Sequence, residues 1–190
     1  MDDVKQNTLS RWTAEQIALV ADFDGARIPL ITAADVAPIL SDFQLWDLWP
    51  VQHPDGRTVD FDGAEAWVIM AAPRELHPDA RHDVARLRLL TLRDGQWTDC
   101  GFLMPEGHAP GSREWAGSTV YDAATATLTL FFTATGRRGQ AGQSFEQRLF
   151  HASARVTQSG DVLTTHDWTP CMESFAADGR DYVIVNQSVG

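Results

Sequence analysis

Asp47 stands among tryptophans, in the run Leu45-Trp46-Asp47-Leu48-Trp49-Pro50. A carboxylate in such apolar sequence needs a reason, because burying it unpaired costs on the order of several kcal/mol. One reading is structural, an Asp bonded to backbone amides or to a nearby arginine. The other is a carboxylate at the floor of a sugar pocket, with indole faces against the ring. Aromatic platforms and a few placed polar groups are what a carbohydrate site requires.

A second cluster, Gly111-Ser112-Arg113-Glu114-Trp115-Ala116-Gly117-Ser118, sets an acid, a base and an indole among small residues. Its pattern reads as a loop entering a strand. Taken alone it is a surface loop with an Arg–Glu pair of little energetic weight. Asp83, flanked by Arg81 and Arg86, is expected to pair with one of those two arginines.

The elements that must hold these groups are strands. Leu45 to Val51 is aromatic and apolar and runs into the turn His53 to Gly56. Ala66 to Ala72 reads as a buried strand, and Arg86 to Leu92 alternates before the turn Arg93-Asp94-Gly95. Further strands are expected within Gln96 to Met104, Ser118 to Tyr121, Thr127 to Ala134, Phe145 to Val156 and Asp181 to Val185. Thr13 and Gln16 have the spacing of a capping box for a short helix over residues 13–20. Short strands separated by compact turns indicate an all-β sandwich, barrel or propeller, and periodicity alone does not choose among them. Residues 1–12 read as a polar arm, and 13–190 as one domain. Gly136 to Ser144 reads as a flexible loop without the helix that a phosphate-binding loop needs.

Hydrophobic residues are 44% and charged residues 22%, so a core can form. The formal net charge of −11 repels nucleic-acid phosphates and anionic lipid, and is compatible with a neutral sugar. No nucleic-acid or membrane partner is expected. Cys100 and Cys171 lie outside any metal-ligand spacing; a disulfide and two separate thiols are both compatible with the sequence. The first residues lack a basic start followed by an apolar run, so no secretory signal is recognised.

Order and spacing across the chain resemble glycoside hydrolase family 68, which contains levansucrases, inulosucrases and some β-fructofuranosidases. Trp46-Asp47-Leu48-Trp49-Pro50 and the Arg113-Glu114-Trp115-Ala116-Gly117-Ser118 segment carry it, followed by Leu130 to Gly136. Trp12-Thr13, Asp55-Gly56 with Gly63, Arg81 to Arg86, and Phe175 to Tyr182 add to it. The resemblance implies the N-terminal portion, about two blades, of a five-bladed β-propeller with an axial pocket. It implies Asp47 as catalytic nucleophile, with Trp46, Trp115 and Ala116 at the fructosyl subsite. Ala116 stands where many levansucrases have a serine that bonds the nucleophile, which bears on transfer against hydrolysis. Sucrose and fructosyl acceptors are the implied partners, an extracellular location is implied, and no cofactor or metal is expected.

The family's other two catalytic carboxylates lie in an Arg-Asp-Pro motif and a later Asp-Glu-x-Glu-Arg motif, neither of which this sequence contains. A missing C-terminal half is therefore expected. Retaining transfer needs two carboxyl groups about 5–5.5 Å apart in different protonation states. Glu114 is the tempting second acid, but the resembled family does not use it so. These residues alone are expected to have negligible sucrase activity. A non-catalytic sugar-binding remnant and a hydrolytic β-fructofuranosidase are the alternatives. An unrelated β-sandwich sharing short motifs is a further one.

Overall fold

The computed structural model describes residues 13–18, 32, 36–139 and 146–174. Trp12, the strand expected at 181–185 and the motif at 175–182 lie outside them. The chain divides into two units, Met1–Ala37 and Pro38–Gly190. In the first, Thr13 caps helix α1 (Ala14–Ala18). Its backbone N–H donates to Gln16 Oε1 at 2.8 Å, and the Gln16 N–H donates back to Thr13 Oγ1 at 3.2 Å. That reciprocal pair is the capping box the spacing predicts.

The second unit is built of strands β1 (Phe43–Gln52), β2 (Asp60–Phe61), β3 (Ala64–Pro73), β4 (Arg86–Arg93), β5 (Gln96–Phe102), β6 (Arg113–Asp122), β7 (Thr127–Thr135), β8 (Gln147–Ser159), β9 (Val162–His166) and β10 (Met172–Glu173). Their order is β10-β8-β7-β6-β1-β3-β4-β5, with β2 beside β3 and β9 beside β8. This is two antiparallel meanders, β1-β3-β4-β5 and β6-β7-β8 with β9 and β10. They meet through β1 and β6, which run parallel at only two pairs, Val51 with Thr119 and Gln52 with Val120. Each meander is one blade of the expected propeller, and β1 and β6, adjacent at the middle of the strand order, are the inner strands.

Alternation explains the packing. Ala66, Val68 and Met70 of β3 share one face with period two, as do Leu128, Leu130, Phe132 and Ala134 of β7. With Leu87, Leu89 and Leu163 they form one core spanning both blades. The hairpin β4–β5 turns on Asp94 (φ 49°) and Gly95 (φ 77°). Two successive positive φ angles make the tight turn that matches strand twist.

The second blade carries a longer hairpin than the sequence pattern indicates. The turn at Ser159-Gly160-Asp161 does not end the element: β9 follows and packs on the first blade. Thr165 Oγ1 donates to Leu103 O at 2.6 Å, Thr91 Oγ1 donates to Asp161 O at 2.6 Å, and Arg93 pairs with Asp161 at 2.7 Å.

Candidate active site

Asp47 sits in a break of β1. Pairing with β3 runs Trp46 to Met70 and resumes at Trp49 to Val68, so Asp47 and Leu48 oppose a single residue. Such a bulge bends the strand and re-aims a side chain. Asp47 adopts φ 49°, a left-handed conformation that Asp tolerates better than most residues. Its side chain is exposed. The sequence leads to an enclosed carboxylate; among the described residues Asp47 stands open instead.

Strand β6 carries a matching break. Trp115 pairs with Thr133 and Gly117 with Phe132, leaving Ala116 as the extra residue. Asp47 lies four residues before Val51, and Trp115 four before its ladder mate Thr119. The two bulges are therefore at one level on neighbouring inner strands. Gly117 is demanded there: a Cβ would fall 1.8 Å from the Phe131 carbonyl oxygen.

The segment from 113 to 117 is strand, not the loop its polar residues suggest, and Glu114 is buried, not a surface acid. Its carboxylate accepts the Leu87 N–H at 2.9 Å and an Arg86 Nε–H at 3.4 Å. Burial raises the Glu114 pKa above the usual carboxylate range, against the lowering pull of the Leu87 N–H and Arg86. A small cavity of about 180 Å³ opens beside it, lined among others by Asp83, Arg86, Ser112 and Arg138. Glu114 is thus committed to the junction of β4 and β6. Asp83 pairs with Arg113 at 3.2 Å, correcting the expected pairing with Arg81 or Arg86. Arg113 lies further along the chain, and strand pairing brings it back to the helix end.

The role of the Arg81-His82-Asp83 motif is not legible in the sequence. A 3-10 helix over Pro78–Asp83, with proline in its first turn, delivers it to the two tryptophans. The His82 ring meets Trp46 edge-on at a centroid distance of 5.3 Å, and Trp115 at 6.1 Å. The Arg81 guanidinium lies over the Trp46 ring at 4.8 Å. Trp115 Nε1–H donates to the His82 carbonyl at 3.1 Å. Trp46 Nε1 is buried without a hydrogen-bond partner among the described residues. The signal that could have found this was a planar ring residue inside a motif following a proline turn.

Both cysteines are free thiols, so the disulfide left open by the sequence is not formed. Among the described residues no group of three His, Cys, Asp or Glu side chains is placed to hold a metal ion. No helix among them is long and apolar enough to cross a membrane.

Two neighbouring strands that meet in parallel, each bulged beside an indole, with a carboxylate at one bulge, make up the candidate site. The levansucrase/invertase family, glycoside hydrolase family 68, matches residues 1–188, and the chain belongs to it. An extracellular sucrase of Zymomonas mobilis is 30% identical over 180 residues, covering 91% of this chain and 42% of its own length. A levansucrase of the same organism is 32% identical over 129 residues, covering 65% of this chain and 30% of its own. An inulosucrase from Halalkalicoccus jeotgali, solved bound to kestose, superposes with a TM-score of 0.69 at 34% identity. That match covers 77% of this chain and 36% of the inulosucrase. The chain spans about two fifths of the sucrase it matches.

Proposed function

We propose that these residues supply the nucleophile-bearing part of a fructosyl-transferring enzyme acting on sucrose, with Asp47 as nucleophile. The observation that carries it is Asp47 in a left-handed bulge between Trp46 and Trp49, level with Trp115 and Ala116 on the neighbouring inner strand. A residue held in a sparsely populated backbone region is a reason to look for function there. Trp46 and Trp115 flank the fructosyl unit in this reading. The kestose in the inulosucrase neighbour supports a fructose-containing ligand.

The chemistry follows from the carboxylate. An ionised Asp47 Oδ attacks the anomeric carbon of the fructosyl unit, and the bond to the glucosyl oxygen breaks. A second carboxyl group gives that oxygen its proton, and glucose leaves. The same group then takes a proton from the incoming acceptor hydroxyl, which displaces Asp47 and restores the carboxylate. Glu114, buried and bonded to Leu87 and Arg86, is not that second group. It comes from a part of the family's length beyond residues 1–190. Water as acceptor gives hydrolysis and a sugar hydroxyl gives transfer. The methyl of Ala116 offers the nucleophile no hydroxyl, which bears on the balance between the two branches, and the relatives named above include both a sucrase and a levansucrase. The first relative's name, extracellular sucrase, supports secretion.

The test uses a polypeptide carrying these residues together with the rest of the family's length. Asp47→Asn should abolish sucrose cleavage while leaving the folded state intact. Acid-quenched turnover of the unsubstituted enzyme should place one anhydrohexose on the peptide holding Asp47. Undiminished cleavage by the Asn variant would sink the proposal.

A further inference from the structure

We infer that His82 is a positioning residue that sets the spacing of Trp46 and Trp115, and through them the width of the sugar slot beside Asp47. This rests on the sucrose reading above and adds to it a determinant of binding.

A 3-10 helix has three residues per turn, so three consecutive side chains point about 120° apart. Residues 81 to 83 use all three directions. Arg81 lies over Trp46, His82 meets both Trp46 and Trp115, and Asp83 pairs with Arg113, two residues before Trp115. One helical turn thus grips both inner strands at the level of the bulges. The helix is fixed at its start as well, where the Ala80 N–H donates to His77 O at 2.9 Å.

The His82 ring lies 69° from the Trp46 plane and 73° from the Trp115 plane. Both are edge-to-face contacts, the arrangement that aromatic quadrupoles prefer. Its carbonyl accepts the Trp115 Nε1–H. Among the described residues the imidazole nitrogens make no hydrogen bond, so the ring acts by its shape and not by proton transfer. A phenyl ring of the same planarity should therefore replace it, and a methyl group should not.

The experiment has two arms, the first on the chain itself. In the first, the seven indole N–H resonances are recorded by NMR. His82→Ala should shift the Trp46 and Trp115 signals together and leave the other five in place. In the second, sucrose is titrated against the tryptophan emission of a polypeptide carrying these residues together with the rest of the family's length. His82→Ala should bind about tenfold more weakly while remaining folded, and His82→Phe should restore affinity, since a single ring contact registers on that scale. Equal affinity in wild type and His82→Ala, or no recovery in His82→Phe, would overturn the positioning role. No sucrose response from the unsubstituted longer polypeptide, with the paired NMR shifts present, would instead strike the sucrose reading itself and this role with it.

Discussion

Glu114 is tied to Leu87 across the junction of the two blades: its carboxylate accepts the Leu87 N–H at 2.9 Å, while its own N–H donates to the Ala85 carbonyl at 2.9 Å. One residue therefore closes the seam with both backbone and side chain. Glu114→Ala should destabilise the fold by about 1–3 kcal/mol, because it leaves a buried amide unsatisfied. Glu114→Gln keeps an oxygen acceptor and should lose distinctly less. Urea unfolding of the two variants compares them directly.

The same residue sets a pH dependence. Burial raises the Glu114 pKa in the folded state. The folded protein then binds that proton more tightly than the unfolded chain does. The resulting stability is fully present below the unfolded value of about 4.3, and is lost as pH rises through the folded value. Unfolding free energy measured against pH should show this declining component in wild type, and Glu114→Gln should lack it.

Gly117 and Gly101 form a contrasting pair. A Cβ at 117 would strike the Phe131 backbone at 1.8 Å, whereas at 101 it meets open space and only the φ of 93° resists it. Gly117→Ala should cost about 3 kcal/mol or more, and Gly101→Ala about 1 kcal/mol. Calorimetric melting of both variants distinguishes a packing clash from backbone strain.

Docking of the β8–β9 hairpin on the first blade should depend on burial more than on charge. Leu163 is 1% exposed, and Leu163→Ala is expected to cost about 2–5 kcal/mol. The Arg93–Asp161 pair is about a third exposed on each side and screened by solvent, so Arg93→Ala should cost distinctly less. An Arg93 variant as damaged as the Leu163 one would reverse that ranking.

The thiols should be unreactive in the folded state. Burial lifts the Cys171 pKa to about 11 and raises that of Cys100 as well. At pH 8 only roughly one Cys171 in a thousand is then a thiolate, the reactive form. Alkylation followed by mass spectrometry should label Cys171 slowly in buffer and rapidly in denaturant. Prompt labelling of the native protein would contradict the burial described.

What was legible in the sequence follows from how each element signals itself. Strands β3 and β4 announced themselves through apolar runs and alternation, and the hairpin between β4 and β5 through Asp94-Gly95. The start of β6 was hidden because Arg113 and Glu114 are neighbours in sequence and both 3% exposed. Consecutive buried charges break the alternation that identifies a strand, and only their partners Asp83 and Leu87, distant along the chain, explain them. Strand β9 is five residues with two threonines, too short and polar to stand out. At the site, Asp47 and the two tryptophans were visible as residue types. The left-handed turn at Asp47 and the His82 wedge were not, since both depend on how separate strands are offset against each other.

The positive φ at Asp47 also bears on how such a protein can be engineered. A backbone that favours glycine makes Asp47→Gly a stabilising exchange, by up to about 1–2 kcal/mol. The same exchange deletes the carboxylate. Under the nucleophile role proposed for Asp47, selection for heat resistance alone would drift toward inactive clones at this codon, so a thermostability screen on this scaffold should hold position 47 fixed.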